Sequence, residues 1–528
     1  MCHLNAHRCI PHGLIYTFLS IISICFLILT IVFASLYHNS NPSSIVYAVE
    51  KGAIGFPIRL PNDGRYIQWT FLHLNDVYEL LPLYNGRKGG LARVAYIRKL
   101  LKEENSYTYT ILAGDFLSPS VLSRSEINGT YLNGRHMIET FNTMGLDFVT
   151  FGNHEFDLNE KDLLLRMNES KFSWISTNIY RKNSPELFGT SISHKILIIN
   201  EVRILIIGLT IDKNQCYVKI INETYLIKHV QQYLQQFSPQ TYDILVAITH
   251  LKMSVDIKLA ENIPQIDLIL GGHEHEDYYY LRGNKYTPIY KADANAFTVY
   301  ILRCAYNIDT KKFRVYPTLT PITPEVQEEE RTSKVANYWF NLGIEGFRAS
   351  GFELNETVSC LPLGTELDGR LKSVTTSSTL LTDLICQSMI KAIGLNRTTI
   401  ALFNSSTLRL NGFLREKITQ YDILRTLPYR SPIIVLLVPG ELLARVLTNG
   451  TSLKRVGPVL AYAGVETLNN GETWSVNGID ISTSGVNYTV VTTEYTKLYN
   501  RDVIVLQKTN LTQAKTLINY LKIKYPPC

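Results

Sequence analysis

Residues 146–157 read LDFVTFGNHEFD, an apolar run that reaches a glycine and is followed at once by polar side chains. The pattern recurs where YIQWTFLHL precedes Asp76, where YTYTILAG precedes Asp115, and again at VRILIIGLT, YDILVAITH and IDLILGGHEH. Continuous apolar runs of this length are typical of strands covered on both faces. Helical stretches such as LARVAYIRKLLKEE lie between them, so we predict an α/β domain over residues 66–317 with helices covering a largely parallel sheet.

The polar side chains at the ends of these strands form one chemical set. Open α/β sheets place ligands at this edge, and neighbouring glycines let the backbone approach a ligand closely. The set contains carboxylates, a carboxamide and imidazoles, at Asp76, Asp115, Asn153, His154, Asp157, His250, His273 and His275. Each residue alone can be a helix cap, a turn residue or a core histidine, but their coincidence at strand ends favours a metal site.

Donors of this kind suit zinc, manganese or iron. Two such ions about 3.5–4 Å apart generate hydroxide, clamp phosphoryl oxygens and neutralise developing charge, which is what hydrolysis of a phosphate ester requires. A carboxylate between the ions can bridge them, and Asp115 is the candidate bridge. The sequence therefore predicts a two-metal phosphohydrolase whose cofactors are two divalent or mixed-valence metal ions.

Together these segments resemble the calcineurin-like metallophosphoesterases and, within them, the secreted 5'-nucleotidase / UDP-sugar hydrolase family. The resemblance implies an N-terminal metallophosphoesterase-type α/β sandwich domain followed by a smaller C-terminal α/β substrate-binding domain. The ligands that it implies are Asp76, Asp115 and His275 for metal site 1, and Asp115, Asn153, His250 and His273 for metal site 2. By the same resemblance His154 is the catalytic histidine, and Asp157 orients its imidazole.

The first strand departs from the family pattern. The family commonly has Asp-x-His there, with the histidine as a site 1 ligand, whereas this chain has Asp76-Val77-Tyr78. A neutral phenol is a poor ligand, and a phenolate suits a more Lewis-acidic ion such as ferric iron better than zinc. Three outcomes stay open: an iron-containing site with Tyr78 as a ligand, a weakened site 1 with water in its place, or lost activity. We expect activity to survive, because the other positions of the pattern are present.

The composition changes at residues 318–350, where two prolines precede an acidic, helix-like stretch. We predict a connector there, which is also the candidate hinge, because family members close a wide cleft by rotating one domain against the other. A second domain is predicted at residues 351–524, with strand-like runs IIVLLVPG, GPVLAYAGV and VNYTVVTT.

By the resemblance, the second domain binds the nucleoside part of the substrate. LFNSSTLRLNG matches the family's Asn-x4-Arg turn and offers Asn404 and Arg409 as contacts on the phosphate or ribose side. Tyr429 and Tyr495 are the candidates for two aromatic rings that stack on a base. With 32 tyrosines in the chain, chance placement of these two is the competing interpretation.

Two expected features of this pocket are missing from the sequence. Thr375 stands where the family has an arginine, although Arg370 offers a guanidinium at a different position. Residues 499–502, Tyr-Asn-Arg-Asp, replace a glycine-rich turn. The substrate is therefore less closely defined than the chemistry, since fold does not determine substrate.

The N-terminus carries an apolar stretch at residues 14–37 that contains no charged residue. At about 1.5 Å per residue it is long enough to cross a hydrocarbon core of about 30 Å. Two interpretations stay open: an uncleaved signal anchor, which would bind a membrane and leave residues 1–13 cytoplasmic, or a signal peptide cleaved after Val32-Phe33-Ala34, of which residues 1–13 would be the n-region. Glycosylation sequons follow this stretch at Asn128, Asn168, Asn222, Asn355, Asn396, Asn404, Asn449, Asn487 and Asn510. They favour a secreted glycoprotein or one on the extracellular or lumenal face of a membrane.

The charge distribution and the cysteine content indicate no further binding partner. The 52 basic and 46 acidic residues are scattered, so no basic block of the kind that binds a nucleic acid polymer is present. The cysteines after the apolar stretch, Cys216, Cys304, Cys360, Cys386 and Cys528, are odd in number, which allows one or two disulfides and leaves at least one thiol. Cys386 lies in an apolar helical run and is expected to be a small core residue. The oligomeric state is not addressed by the sequence.

The predicted function is hydrolysis of a nucleoside 5'-monophosphate by a metal-activated water, with a nucleotide as the substrate. A second enzyme class keeps the same chemistry and takes a nucleotide sugar, a nucleoside di- or triphosphate, or a cyclic phosphodiester. A third interpretation is a catalytically weak protein that binds nucleotides through its second domain, and Tyr78 and the altered pocket are the features that favour it.

Overall fold

The computed structural model describes residues 54–61, 63–213, 215–238, 240–394, 399–452, 459–468, 472–496, 498 and 501–528. The chain divides into two compact units, residues 1–56 and 57–528, and the architecture below is that of the second. The predicted segments 1–13 and 14–37, together with the sequon at Asn396, lie outside the described residues. Within the described ranges, no helix combines the length and apolar character needed to cross a membrane.

The N-terminal domain contains two sheets, each of six strands among the described residues. The first sheet has the strand order Lys312–Pro321, Thr298–Asn307, Tyr66–Leu74, Thr108–Leu112, Phe148–Val149 and Ser173–Trp174. The second has the order Tyr278–Arg282, Thr287–Lys291, Leu268–Gly271, Ile244–His250, Val202–Thr210 and His194–Ile199. Strands that end at predicted site residues pair in parallel, and antiparallel pairs lie towards the sheet edges. The predicted α/β sandwich is thereby confirmed.

Both faces of each sheet are covered, which explains the unbroken apolar runs in the sequence. In the strand Val202–Thr210, Ile204 and Ile206 belong to the core between the two sheets, together with Trp69 and Phe71 of the first sheet. The alternate residues of the same strand pack instead against the outer helices. Successive strand residues point to opposite faces, so a strand buried on both sides is apolar at consecutive positions along most of its length.

Five helices cover these sheets within the described part of the N-terminal domain: Leu91–Glu104, Arg135–Met144, Glu160–Glu169, Glu223–Leu234 and Met253–Asn262. Short antiparallel pairs join Glu126–Ile127 to Thr130–Tyr131 and Ile179–Arg181 to Val218–Ile220. Single 3-10 turns occupy Leu122–Arg124, Glu155–Asp157 and Ala294–Ala296. Asn159 and Asn222 cap two of the helices by accepting hydrogen bonds from backbone N–H groups, which are otherwise unpaired at a helix start.

The C-terminal domain is also α/β, as predicted. Its main sheet has the order Leu460–Ala463, Ile400–Asn404, Asn487–Thr493, Pro432–Pro439 and Ile504–Thr512. Its helices are Leu371–Val374, Leu380–Ile393, Gln420–Thr426, Gly440–Thr451 and Gln513–Lys524, with 3-10 turns at Ser405–Thr407 and Glu494–Thr496. Smaller sheets pair Thr357–Cys360 with Lys417–Thr419, pair Glu366–Asp368 with Phe413–Arg415, and join Glu466–Leu468, Thr473–Val476 and Ile479–Asp480.

The predicted connector, residues 318–350, begins inside the first sheet, because the strand Lys312–Pro321 continues into it. Its helix spans Glu330–Ala349 and is capped by the Glu329 side chain. Gly343 and Gly346 permit close packing on the N-terminal domain: a Cβ at Gly346 would meet the Ser125 hydroxyl oxygen at 2.2 Å. The other side of the helix contributes Phe347 to the core of the C-terminal domain. The helix therefore contacts both domains, and its role as a hinge stays a prediction.

One disulfide, Cys360–Cys528, is present among the described residues. It attaches the C-terminal residue to a strand of the second domain. Cys216, Cys304 and Cys386 are free, and Cys386 is fully buried in an apolar core as predicted.

Candidate metal centre

The predicted site residues lie on turns that most side chains tolerate poorly. Asp76, Asp115, His273 and His275 all have positive φ, at 54°, 58°, 93° and 65°. Left-handed backbone at non-glycine residues is uncommon and tends to occur at functional sites, where the surrounding structure holds it in place. Gly152 allows the turns to approach each other, since a Cβ there would lie 2.1 Å from Asp115 Oδ1.

Asp76, Asp115 and His250 form the centre of the site, with one ligand atom of each lying within 4.8 Å of the others. Asp115 Oδ2 is 3.2 Å from His250 Nε2 on one side and 3.1 Å from the Tyr78 hydroxyl on the other. The other oxygen, Oδ1, accepts a hydrogen bond from the backbone N–H of His154. One carboxylate oxygen thus faces both halves of the site, which is the position that a bridging ligand requires.

Tyr78 lies where the sequence predicts a site 1 ligand. Its hydroxyl donates to Asp115 Oδ2 and is 3.3 Å from Nε2 of His275. Burial raises the pKa of Tyr78 well above its usual value, and the charges of Asp115 and Asp76 raise it further. The phenol is therefore neutral beside these carboxylates, and in that state it acts as a hydrogen-bond donor.

The remaining predicted ligands surround the same space. His275 Nε2 is 3.1 Å from Asp76 Oδ1, and the rings of His250 and His273 meet edge to face with centroids 5.3 Å apart. Asp76 Oδ2 accepts from the backbone N–H of His273, which holds the GGHEH turn against the first strand. His250 donates Nδ1–H to the carbonyl of Ala113, so its Nε2 is left as the ligand atom.

The pairing of the buried polar atoms shows whether these residues could hold a cation. Asn153 Oδ1 is buried and makes no hydrogen bond within the described residues. Asp76 Oδ1 and His250 Nε2 are also buried, and their near partners are other predicted ligands: His275 Nε2 at 3.1 Å and Asp115 Oδ2 at 3.2 Å. Buried polar atoms are normally paired, and a carboxylate oxygen, an unpaired amide oxygen and an imidazole nitrogen that converge on one space have the chemistry of a metal-ligand set.

The electrostatics of the site also favour a bound cation. Burial acts to raise the pKa of Asp76, but the imidazoles of His275 and His250 outweigh it, so the pKa is lowered. Burial acts to lower the pKa of His250, yet Asp115 and Asp76 raise it to about 10. Burial lowers the pKa of His273 to about 3, and His250 contributes in the same direction. The two carboxylates thus favour positive charge beside them, which is what a divalent cation supplies.

His154 and Asp157, which are predicted to act as a catalytic pair, are in contact. His154 Nδ1 is 2.7 Å from Asp157 Oδ2, and Asp157 Oδ1 binds the ammonium of Lys213. Burial lowers the pKa of His154, and Arg409 lowers it further, while Asp115 and Asp157 oppose the shift. The Nδ1–H group is directed to Asp157, which leaves Nε2 as the atom that faces Arg409.

Two residues that the sequence analysis did not assign complete this region. The buried Glu155 carboxylate accepts hydrogen bonds from the backbone N–H groups of Asp115, Phe116, Leu117 and Gly152, and so fixes the turn that presents Asp115. Lys213 neutralises Asp157. In the sequence, Glu155 is a charged residue directly after an apolar strand, but no sequence pattern indicates that Lys213 binds Asp157.

The C-terminal domain brings Arg409 into the site. Its Nη2 is 3.0 Å from His154 Nε2 and 3.2 Å from the hydroxyl of Tyr429. Asn404 is buried and caps its own turn, with Oδ1 accepting from Ser406. Tyr495 is 70 % exposed, and no ring contact joins it to Tyr429 among the described residues. The structure therefore places Arg409 and Tyr429 beside His154, and the stacking of Tyr429 and Tyr495 on a base stays a prediction.

A cavity of about 670 Å³ opens beside His275, between the two domains. Tyr84, Phe297 and Phe413 supply its aromatic surface, and Arg370 is among its lining residues. Arg370 is paired with Asp368 and lies over the Phe413 ring. This volume is in the range of small-molecule sites.

Residues 70–277 match the family described as calcineurin-like phosphoesterase, and residues 362–504 match the 5'-nucleotidase C-terminal domain. Snake venom 5'-nucleotidase from Gloydius brevicauda is 24% identical over 246 residues, 43% of this chain and 40% of that protein. The trifunctional nucleotide phosphoesterase protein YfkN of Bacillus subtilis is 24% identical over 463 residues, 78% of this chain and 30% of that protein. The chain therefore spans less than half the length of these curated relatives.

A crystal structure of a 5'-nucleotidase precursor from Thermus thermophilus superposes with a TM-score of 0.69 at 18% identity, covering 87% of this chain and 97% of that one. At this level of identity the similarity establishes the shared fold, including the order of the two domains. The two matched domains follow one another as in that family, and the ligand-bearing turns lie inside the first of them. The chain therefore carries both matched domains and resembles the 5'-nucleotidases among the calcineurin-like phosphoesterases.

Proposed function

We propose that this chain is a metal-dependent phosphoric ester hydrolase that converts a nucleoside 5'-monophosphate into a nucleoside and phosphate. The observation that carries the proposal is the 3.0 Å contact between Arg409 Nη2 and His154 Nε2. It brings a guanidinium from the nucleotidase C-terminal domain to the turn beside the metal-ligand set. Guanidinium groups bind phosphate oxygens in a forked geometry, so a phosphate ester would be held between the two domains.

The metal ions would be held by the residues at the strand ends. Asp76, Asp115 and His275 form site 1, while Asn153, His250 and His273 join Asp115 in site 2. When bound, the two ions would supply Lewis acidity and an activated water. Support comes from the buried Asn153 Oδ1, which has no hydrogen-bond partner within the described residues, and from the position of Asp115 Oδ2 between the two halves.

His154 is proposed to move the proton. Its Nδ1–H is directed to Asp157, so Nε2 is the atom that faces the substrate side, next to Arg409. Protonated Nε2 would donate to the leaving ribose oxygen, and the carboxylate of Asp157 would stabilise the positive imidazole. Lys213 holds the second oxygen of Asp157 and fixes the orientation of the pair.

The substrate contacts outside the phosphate are proposed for Asn404, Tyr429 and Tyr495. Tyr429 is half-buried and its hydroxyl binds Arg409, so its ring is fixed beside the phosphate position. The exposed Tyr495 ring is free to cover a base, and its backbone N–H is bound by Ser431. Two flat faces of this kind stack on any base, which favours nucleotides as a class rather than one nucleotide.

One observation favours a second candidate, a catalytically weak nucleotide-binding protein. The neutral hydroxyl of Tyr78 lies in site 1, between Asp115 and His275. A panel of AMP, UMP, ADP, ATP, UDP-glucose, 2',3'-cyclic AMP and an aryl phosphate, each with zinc, manganese or iron, separates the candidates. Turnover of AMP or UMP supports the monophosphatase, and turnover confined to the other compounds identifies the second enzyme class. Micromolar nucleotide binding without any turnover would establish the binding protein.

We further propose a secretory route, with the protein glycosylated and facing the extracellular or lumenal space. The asparagine is exposed at six sequons, Asn128, Asn168, Asn355, Asn449, Asn487 and Asn510, which supports their use as acceptors. Asn404 is buried at the end of a strand and should stay unmodified. Mass spectrometry of glycopeptides from protein expressed in a eukaryotic host tests this, and a glycan at Asn404 would contradict the structure around it.

A further inference from the structure

Lys291 is a fully buried lysine outside the ligand set. It ends the strand Thr287–Lys291, and its side chain has no exposed surface. Its ammonium group donates to the carbonyls of Leu251, at 2.6 Å, and Gly272, at 2.8 Å, and to Glu274 Oε2 at 2.5 Å. An ion pair with Asp256 at 2.7 Å completes its surroundings. A charged amine is almost never buried unless such partners compensate for lost hydration.

The acceptors belong to the two turns that carry metal ligands. Leu251 follows His250 directly, while Gly272 and Glu274 flank His273 on either side. One cation therefore ties the THL turn to the GGHEH turn through their main chains. Glu274 extends the connection, because its other oxygen accepts from the backbone N–H of Met253 at the start of the next helix.

The residues around Lys291 provide the space and the charges that its side chain requires. A Cβ at Gly271 would meet Lys291 Cε at 2.7 Å, so the first glycine of the GGHEH turn leaves room for the side chain. Burial acts to lower the pKa of Lys291, but Asp256 and Glu274 outweigh it and raise the pKa, which keeps the amine charged. A neutral side chain at this position would leave the two carbonyls and Glu274 Oε2 without this donor, and the Asp256 carboxylate without its ion pair.

We propose that Lys291 is a positioning residue that holds His250 and His273 at the spacing required to bind the second metal ion. It does so through the backbone of both turns, and it touches neither ligand itself. The inference rests on the proposed metal-dependent function. Residues that orient metal ligands typically change metal affinity by about 10–100-fold when they are removed.

The test is the affinity of the folded protein for zinc and manganese, measured by competition with a chromophoric chelator. Lys291→Met should weaken binding of the second ion by about 10–100-fold. The matched control is Arg303→Met. Arg303 is 3 % exposed and forms a bidentate pair with Glu104 in the same domain, so its loss also leaves a partly buried carboxylate without its partner. Both variants should lose thermal stability, but Arg303→Met should keep wild-type metal affinity.

The outcomes separate three cases. Unchanged metal affinity in folded Lys291→Met, with lowered stability alone, would show a purely structural lysine and overturn the proposal. If Lys291→Met does not fold, Glu274→Gln replaces it, since Glu274 is partly exposed and its amide analogue keeps the size; affinity reduced about tenfold supports the proposal, and wild-type affinity overturns it. A wild-type protein that binds neither metal would contradict the proposed function itself, whatever the variants do.

Discussion

Nη2 of Arg409 and Nε2 of His154 lie 3.0 Å apart, so a guanidinium of the C-terminal domain donates a hydrogen bond to the imidazole beside the metal-ligand turns. The two residues are 255 positions apart in the chain. Further contacts hold the domains together near the site, including the Tyr421 hydroxyl with Glu79 and the guanidinium of Arg425 over the Tyr84 ring. The C-terminal domain thus contributes a guanidinium to the surroundings of the predicted ligand set.

Arg409→Met should lower kcat/KM for AMP by about 10–150-fold, which corresponds to the loss of about 1.5–3 kcal/mol from hydrogen bonds to a charged group. Metal content should stay at the wild-type value, because Arg409 is not a ligand. Steady-state kinetics and elemental analysis on the same samples check both statements. Wild-type kcat/KM in this variant would remove Arg409 from the phosphate site.

Tyr78→His should raise zinc affinity and zinc-dependent turnover, because an imidazole is a better ligand than the neutral phenol that donates to Asp115. Tyr78→Phe should retain most activity, since only a hydrogen bond to Asp115 is lost. Zinc titration and turnover measurements on both variants provide the comparison. Abolished activity in both would instead identify the Tyr78 oxygen as a working ligand, and iron analysis of the wild-type protein would then be decisive.

Glu155→Gln should destabilise the fold and weaken metal binding together. The carboxylate accepts four backbone N–H groups, two on each oxygen, and an amide nitrogen cannot accept the two on its side. Two unsatisfied buried donors cost about 2–5 kcal/mol of unfolding free energy. Denaturant unfolding measures this loss, and metal titration reports the displaced Asp115. A variant as stable as wild type would show that the turn does not depend on Glu155.

His136 should make the protein less stable in acid. Burial lowers its pKa to about 3, and Arg166 adds to the effect, whereas an unfolded chain titrates near 6.5. The unfolded state therefore binds the proton first as pH falls, and stability is lost from about pH 6.5 downward. In His136→Gln the drop in unfolding free energy between pH 7 and pH 5 should be smaller by about 2 kcal/mol. Denaturant titrations at both pH values test this, and an identical drop in the two proteins would contradict it.

The long elements were predictable because their residues face the same environment throughout. The strands Tyr66–Leu74 and Val202–Thr210 and the helix Leu91–Glu104 begin and end where their apolar or helical patterns do. Phe148–Val149 keeps only two residues of a longer apolar run, since strand pairing depends on neighbours as well as on hydrophobicity.

Parts of the site were predictable for a related reason. Parallel strands bring their carboxyl ends to one edge of a sheet, so Asp76 and Asp115 were expected to meet once the strands were assigned. His250 ends a strand of the second sheet, so its approach depends on how the two sheets pack. The contacts of Arg409, Lys213 and Lys291 depend instead on how distant segments pack, and no local pattern encodes them. The burial of Tyr429 and Tyr495 could not be predicted either, because residue type alone does not show that one ring is half-buried and the other exposed.

The most direct test of the two-metal assignment is AMP hydrolysis by protein stripped of metal with a chelator and then reloaded with zinc, manganese or iron. His154→Ala and Asn153→Ala are treated in the same way. Stripped protein should be inactive and reloading should restore turnover, while His154→Ala should bind metal normally and lose about 100-fold or more in kcat. Asn153→Ala should lose turnover through weakened metal binding. Hydrolysis that is independent of added metal, or that survives in His154→Ala, would contradict the assignment.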